Sequence, residues 1–445
     1  MSKSVNTCAS AHAYSEVYNL SETALREDGI AELERRIEQL RSKLRLAVVF
    51  GGDKSVAGSV VYESHNARSW KSYEAVANNI ADSLRKIGFR NVSLMSDDMH
   101  LGDKIRRDGT HMVWLNTAGV QGLNPACHAA AMMEMFGVPY VGHDPLTATT
   151  LDNKHAFKRE AVCAGLPTAP FVTWHMSRGP FLPEINSRFR LTFGDFSGPF
   201  VVKPVSGRAS LHVHVVKDRA SLTEAVAEVY HATKNTVLVE KFLTGREFCI
   251  AVAGPVTASH QRLYHRPEPF TFAALERKLS PEEMIFTSMD VRPITKDRIH
   301  FLDPKIDAPV RKQLHQIGCE VFREFNLSTL TRIDIRADDA GNLFILEANP
   351  KPDLKRGKDG VTSLIEAGLP EANMSYDDLI LSLLADRLYF LFNHQRESIG
   401  HILELIEHDD ERLPSLDEGD QRTDSLVRVL RDRSNTMRRS KVRIA

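Results

Sequence analysis

At 445 residues the chain is longer than one hydrophobic core usually holds, so about two to four domains are expected. Its 42% hydrophobic and 26% charged residues are those of a globular protein, and a formal net charge of -1 argues against a nucleic-acid partner gathered by bulk charge. No apolar run approaches the roughly 18 residues of a membrane span, and the N-terminus has no apolar signal core. Five scattered cysteines (Cys8, Cys127, Cys163, Cys249, Cys319) without a CxxC pair fit reduced thiols better than a disulfide framework. The expectation is a soluble cytoplasmic protein with no membrane partner.

Residues 1–20 are polar and are expected to be disordered. From Ser21 a helix is predicted, because Ile30, Leu33, Ile37, Leu40 and Leu44 recur at three and four with charges between them. That stripe suits either a coiled-coil arm that makes a homodimer or a helix packed on its own domain. Leu46–Gly52 reads as a buried strand running into a glycine turn, followed by a helix over Ser72–Ile87. Strands are predicted at Val92–Met95 and Met112–Leu115, a helix at Pro125–Phe136 and a strand at Val138–Gly142. Alternating strands and helices imply a parallel sheet, with ligands at its carboxyl ends near Asp53, Asn116 and Asp144. Asp152 is the candidate N-cap of the next helix.

Beyond Pro167 the chain becomes β-rich. Pro199–Pro204 is a strand that ends in Lys203, and the small-residue loop 205–210 leads to a strand at Leu211–Val216. Such a loop can fold its N–H groups over phosphates, although an ordinary hairpin has the same composition. A helix over Asp218–Tyr230, a strand at Thr236–Val239 and another at Gly245–Val252 follow. Arg262–Phe301 shows no clear pattern, and a long irregular stretch within a domain is often a lid. A helix is predicted over Val310–Phe325, a cationic loop over 351–358, and an apolar helix over Tyr376–Leu391 that continues towards Ile406. The arginine-rich end after Glu407 reads as a solvated tail.

The most informative stretch is Thr331–Pro350, a β-hairpin whose turn lies in 338–342. Pairing Asp338 with Leu343 sets Asp334 opposite Glu347 and Arg332 opposite Asn349, all on one face. Ile333, Ile335, Leu346 and Ala348 then point to a core. Two facing carboxylates repel, and a hard cation such as Mg²⁺ would relieve them. A solvated charged face accounts for the same residues equally well.

Six motifs in order resemble the ATP-grasp superfamily, and within it the D-alanine–D-alanine ligase-like branch, over roughly residues 46–388. They are Val48–Gly52, Val138–Gly142 before Leu151–Lys154, Ala164–Pro170, Val201–Pro204, Val239–Leu243 with Gly245–Phe248, and Arg332–Asp334 with Leu346–Asn349. The resemblance implies an α/β (overall α+β) ATP-grasp fold: a Rossmann-like domain over 46–145, then two α+β units, 146–240 and 241–390, that sandwich ATP. Residues 1–45 would be an N-terminal extension and 391–445 a helical extension with a basic tail. It also implies roles. Lys154 and Lys203 would contact the phosphates, and the loop Ser206, Gly207 to Ser210 would cover them. Glu240, Lys241, Phe242 and Leu243 would lie beside adenine, and Glu247 would hold the ribose. Asp334, Glu347 and Asn349 would hold Mg²⁺, two ions in the family pattern with Mn²⁺ as a substitute. Arg332 would stabilise the transferring phosphoryl group.

The implied chemistry is ADP-forming ligation of a small carboxylic acid to an amine or amino acid through an acyl phosphate. Departures from the family pattern fall on the amino-acid half. Asn116 stands where D-alanine–D-alanine ligases carry a His-Gly pair. Asp353 follows Pro352 in place of a glycine, with Lys355 and Arg356 inserted after it. The lid tyrosine and lysine have no clear match, with Arg292 or Lys296 as substitutes. The expected substrates therefore differ from D-alanine plus D-alanine. D-alanine–D-alanine ligase proper is the alternative, and a catalytically silent ATP-binding scaffold is the alternative of another class.

Overall fold

The computed structural model describes residues 29–51, 57–61, 71–122, 124–207, 210–280, 282–286 and 293–410. The expectations for residues 1–20 and for the basic tail lie outside them. The chain separates into two compact units, Met1–Leu405 and Ile406–Ala445, and the site lies wholly in the first.

A helix over 29–40 (α1) precedes β1 (Arg45–Gly51), α2 (Lys71–Lys86), β2 (Asn91–Asp97), α3 (Leu101–Asp108), β3 (Met112–Asn116), α4 (His128–Phe136) and β4 (Tyr140–Val141). The strands form a parallel sheet in the order β2-β1-β3-β4. Of the two readings of α1, packing on its own chain holds. Leu33, Ile37, Leu40 and Leu44 are buried within the unit, and Arg36 lies 4.9 Å from the Phe392 ring. The apolar stripe is therefore used internally.

Two helices, α5 (Pro145–Asp152) and α6 (Lys154–Cys163), connect this sheet to the next. Asp144 caps α5 by accepting from the N–H groups of Leu146 and Thr147. Asn153, not Asp152, caps α6, accepting from the N–H groups of His155 and Ala156. The extended backbone of Asn153 (φ −95°, ψ 103°) breaks what would otherwise be one helix, and it sets Lys154 at the first helical position.

An antiparallel sheet of β5 (Phe171–Trp174), β6 (Phe200–Pro204), β7 (His214–Val216) and β8 (Val237–Lys241) has the order β5-β8-β6-β7. Helices α7 (Ser187–Phe193) and α8 (Leu222–Thr233) share its core through Phe189, Phe193, Val226 and Val229. The third sheet, β13-β12-β9-β14-β15, contains β9 (Glu247–Ala253), β12 (Phe270–Arg277), β13 (Ile299–Phe301), β14 (Thr331–Ala337) and β15 (Leu343–Asn349). A separate hairpin joins β10 (Val256–Ser259) to β11 (Arg262–His265).

Arg262–Phe301 is thus richer in strands than its sequence indicated. The pattern was hidden by a bulge: the β12–β9 register shifts between Phe272 and Leu275, and Ala273 has a positive φ of 53°. One extra residue turns each later side chain to the other face, so the alternation fails.

Period-2 geometry divides the third sheet. Phe248, Ile250, Val252, Ile333, Ile335 and Ile345 pack on one face, against α6 and helix α9 (Ala308–Glu324). Glu247, Arg277, Asp334 and Arg336 belong to the other. After β15 come α10 (Leu364–Ala367), α11 (Tyr376–His394) and α12 (Gly400–Asp410). Ser375 and Asp378 make a capping box at the start of α11. The apolar helix predicted to continue towards Ile406 is interrupted by a 3-10 turn, Arg396–Ile399.

Because Leu40 is fully buried, Leu40→Ala should lower the stability of the full chain by about 2–5 kcal/mol in denaturant titration. A loss below about 1 kcal/mol would show that α1 is not part of this core.

Candidate nucleotide and metal site

One cavity lies between the second and third sheets. Polar side chains from six elements line it: Lys154 on α6, Lys203 on β6, Glu240 on β8, and Glu247, Asp334 and Glu347 on β9, β14 and β15 of the third sheet. Gly207, Ser210, Lys241, Phe242 and Leu243 also line it. Val201, Phe242, Leu243, Ile285, Phe286 and Leu346 give it an apolar part suited to a flat ring.

The hairpin of β14 and β15 forms with a corrected register. Arg332 faces Asn349 and Asp334 faces Glu347, as predicted, but Ala337 rather than Asp338 faces Leu343. The shift falls between Asp334 and Ile335, so Leu346 is the extra residue on β15. It turns from the expected core face and lines the cavity beside Glu347. This is a bulge re-aiming side chains at a site.

Every charged group in the cluster has an opposite. Asp334 accepts two bonds from Arg332, Nε at 2.8 Å and Nη2 at 2.9 Å, and also pairs with Arg277. Arg277 donates to Glu247 at 2.9 Å, and Arg336 approaches the same carboxylate from the other neighbouring strand at 3.3 Å. Lys154 lies 3.1 Å from Glu347 and donates to the Gly207 carbonyl at 2.9 Å. Glu240 lies between Lys158, at 2.9 Å, and Lys203. The Asn349 amide reaches Asp334 only at 3.4 Å.

Burial opposes ionisation of these carboxyl groups, and the cations outweigh it. Lys158 and Lys203 hold Glu240 at about 2, below its ordinary 4.5. Arg277 and Arg332 hold Asp334 at about 2. Glu347 is likewise lowered, by Lys154 and Lys203 against its burial. Among the amines, complete burial pushes Lys158 down despite Glu240, whereas Glu240 and Glu347 hold Lys203 up despite burial. Two ionised carboxylates and an amide on facing strands are a donor set of hard oxygens, and they fit Mg²⁺.

Arg277, Arg336 and Lys158 escaped the sequence reading. Arg277 sits on the strand whose bulge hid the pattern. Arg336 lies two residues beyond Asp334 and so on the same face, a signal that period-2 reading contained. Lys158 is one helical turn after Lys154. Ser206 and Asn349 flank the cavity without lining it, and Arg332 reaches it through Asp334.

The predicted substrate residues are dispersed. Asn116, at the carboxyl end of β3, lines a second cavity with Thr117, Gly142, His143, Lys351 and Pro352. Lys351 lies 3.4 Å from Asn116 Oδ1 and 3.9 Å from the Tyr73 ring centroid. Asp353 accepts from the Lys355 N–H at 3.0 Å, and the Lys355 side chain is exposed. Arg356 pairs with Asp377 and covers the Tyr376 ring at 4.4 Å, so it ties the loop to α11 instead of facing either cavity. Lys296 is exposed, and Arg292 lies outside the described residues. The cation beside the cavity is instead Arg298, buried 4.2 Å from the Phe286 ring and 3.1 Å from Glu283.

Three sheets with a cavity between the second and third, lined by lysines and paired carboxylates, define an ATP-grasp protein. Residues 162–385 match the family described as D-ala D-ala ligase C-terminus, and the chain belongs to that family, in the D-alanine–D-alanine ligase-like branch. It is 28% identical over 282 residues to the protein y4sG of Sinorhizobium fredii, covering 63% of this chain and 76% of that one. It is 24% identical over 249 residues to a D-alanine–D-alanine ligase of Pelobacter propionicus, covering 56% and 70%. Among solved structures, the D-alanine–D-alanine ligase of Coxiella burnetii superposes with a TM-score of 0.57 at 18% identity, over 82% of this chain and 99% of that one. The D-Ala:D-Ser ligase of Enterococcus faecalis gives 0.54 at 16% identity, over 77% and 99%. Family membership makes the chain an ATP-dependent ligase of the D-alanine–D-alanine ligase-like kind, a class that uses ATP and Mg²⁺.

Glu240→Gln should destabilise the full chain by about 3–5 kcal/mol at neutral pH, because it strips the fully buried Lys158 of its counter-charge. The Glu240 carboxyl is lowered in the folded state, so its contribution is complete above 4.5 and is lost as pH falls towards about 2. The gap between wild type and variant should therefore narrow below pH 4.5 in denaturant titrations. A gap that does not change with pH contradicts the assignment.

Proposed function

We propose that the chain is a carboxylate–amine ligase that forms an amide or peptide bond through an acyl phosphate, with substrates other than D-alanine plus D-alanine. The observation that carries the reading is the convergence of Lys154, Lys203, Glu247, Asp334 and Glu347 on one cavity. The parts 46–145, 146–240 and 241–390 would act as its domains, in the cytoplasm.

In this reading Lys154 and Lys203 bind the phosphates as point charges, and Gly207 and Ser210 cover them. Phe242, Leu243 and Leu346 enclose the base with the backbone of Glu240 and Lys241, and Glu247 takes the ribose hydroxyls. Asp334, Glu347 and Asn349 would hold Mg²⁺, one ion or two, which when bound neutralises phosphate charge. An oxygen of the substrate carboxylate attacks the γ-phosphorus, the bond to the bridging oxygen breaks, and ADP leaves. The amine then attacks the acyl carbon, and phosphate leaves as the C–N bond forms. Carboxylate and triphosphate repel, so the cations that surround the cavity, Arg332 among them, must bring them together. Phe286, with Arg298 against it, would exclude water from the acyl phosphate.

The substrate part of the reading rests on the second cavity. Lys351 and Asn116 both line it, two residues along the chain from Asn349 and at the end of β3. This pairing of an ammonium with an amide suits a carboxylate-bearing substrate. Lys355, Arg356 and Lys296 are not used, since each faces solvent or α11.

A coupled ADP-release screen over acids and amines should find Mg²⁺-dependent turnover that needs both substrates. Asp334→Asn and Glu347→Gln should each lower it by at least ~10²-fold. Undiminished ADP release in both variants would overturn the metal assignment. Efficient turnover of D-alanine alone would overturn the substrate part and leave the ligase reading intact, whereas ATP binding without turnover on any pair would favour a scaffold.

A further inference from the structure

One buried guanidinium touches three parts of the wall that encloses the nucleotide cavity. Arg336 on β14 lines the cavity and is 5% exposed. Its Nη1 donates to Glu247 Oε2 at 3.3 Å and to the Met284 carbonyl at 2.9 Å, and its Nε donates to the Gly245 carbonyl at 3.3 Å. The guanidinium carbon also lies 4.6 Å from the centre of the Phe242 ring. Phe242 belongs to the wall beside the base, and Glu247 to the ribose site. Met284 belongs to the segment 282–286, whose Ile285 and Phe286 line the cavity.

Residues 282–286 lie outside any helix or strand, so side chains must hold them in place. Arg298 reaches Glu283 at 3.1 Å and lies 4.2 Å from the Phe286 ring. Arg277 lies 5.3 Å from the same ring, and the Ser210 hydroxyl donates to the Phe286 carbonyl at 3.2 Å. Arg298 precedes β13 and pairs with the segment itself. Arg336 differs, because one nitrogen serves both the backbone of the segment and the ribose carboxylate.

Strand register makes this double contact possible. Arg277 and Arg336 lie directly opposite Glu247 on its two neighbouring strands. Arg277 takes Oε1 and Arg336 takes Oε2, so each carboxylate oxygen keeps a lone pair for a ribose hydroxyl. Hydroxyls bound there fix the carboxylate, the fixed Oε2 fixes Nη1, and the second hydrogen of that nitrogen is directed at Met284. A planar fork can present Nε and Nη1 to three acceptors at set angles, whereas an ammonium is a point charge on a flexible stem.

We propose that Arg336 is a positioning residue that transmits occupancy of the ribose site at Glu247 to the segment 282–286 and holds Ile285 and Phe286 against the cavity while nucleotide is bound. The inference rests on the assignment of Glu247 to the ribose in the ligase reading. Water exclusion at the reacting end of the nucleotide is then controlled from its nucleoside end, through a side chain that touches no reacting atom.

Hydrogen–deuterium exchange of the full-length protein, with and without Mg²⁺ and the non-hydrolysable analogue AMP-PNP, tests this once calorimetry has set a saturating concentration. In wild type the peptide containing 282–286 should exchange at least ~10-fold more slowly with nucleotide, the worth of one charge-assisted hydrogen bond. Arg336→Met should still bind AMP-PNP, since Glu247 keeps Arg277, yet lose most of that slowing. Arg336→Lys, which keeps the buried charge beside Glu247, should lose most of it as well. Arg298→Met should speed exchange with and without nucleotide alike and so preserve the ratio, which separates a transmitting role from a merely structural one. Undiminished slowing in either Arg336 variant at saturation, or a loss in Arg298→Met as complete as in Arg336→Met, would overturn the proposal. Failure of wild type to bind AMP-PNP would overturn the nucleotide site itself and this inference with it, and calorimetry shows that before any exchange is read.

Discussion

Charge balance in a buried space is the constraint on which the rest of the structure depends. Lys154, Lys158, Lys203, Arg277, Arg332 and Arg336 meet Glu240, Glu247, Asp334 and Glu347 in a cluster drawn from two sheets and one helix. Ions taken from water this way lose several kcal/mol each unless their partners compensate them. The described cations outnumber the carboxylates, an excess that suits a polyphosphate. The cluster is also self-paired: the carboxylates assigned to the metal are held by the arginines and by the lysine assigned to phosphate. On the proposed reading, binding exchanges these partners: carboxylates turn to Mg²⁺ and lysines to phosphate.

The backbone makes that exchange geometrically possible. Glu247 lies on a central strand, with Arg277 and Arg336 directly opposite it on its two neighbours. One carboxylate therefore orients two guanidinium groups, and one of these reaches on to Asp334. The bulge at Leu346 breaks the alternation of β15 where Glu347 must face the cavity and Ile345 must stay in the core. A regular hairpin would turn Leu346 into that core, as the simple alternation implied.

The residues that converge on the cavity were found in the sequence through the family resemblance, whose motifs are short and local, so that a lysine after a helix start, a lysine ending a strand and carboxylates at matching register positions could be picked out without the tertiary fold. What was hidden depends on irregular backbone or on contacts distant along the chain. The bulge at Ala273 disguised β12 and with it Arg277. Asn153 replaced Asp152 as the cap because α5 runs up to it, and α5 was not read at all. The substrate residues fared worst. Arg356 looked like an anion-binding group by composition, yet Asp377, 21 residues away, already holds it. Charge along a loop reports what the loop could bind and not which way it faces.

The central claim is that the buried cluster is a Mg²⁺–ATP site whose lysines bind phosphate. Calorimetric titration of the full-length protein with ATP in Mg²⁺ tests it most directly. One site should appear, and its affinity should fall at least ~10-fold in Lys203→Met while the variant remains folded. No detectable ATP binding by wild type, or unchanged affinity in a folded Lys203→Met, would contradict the account.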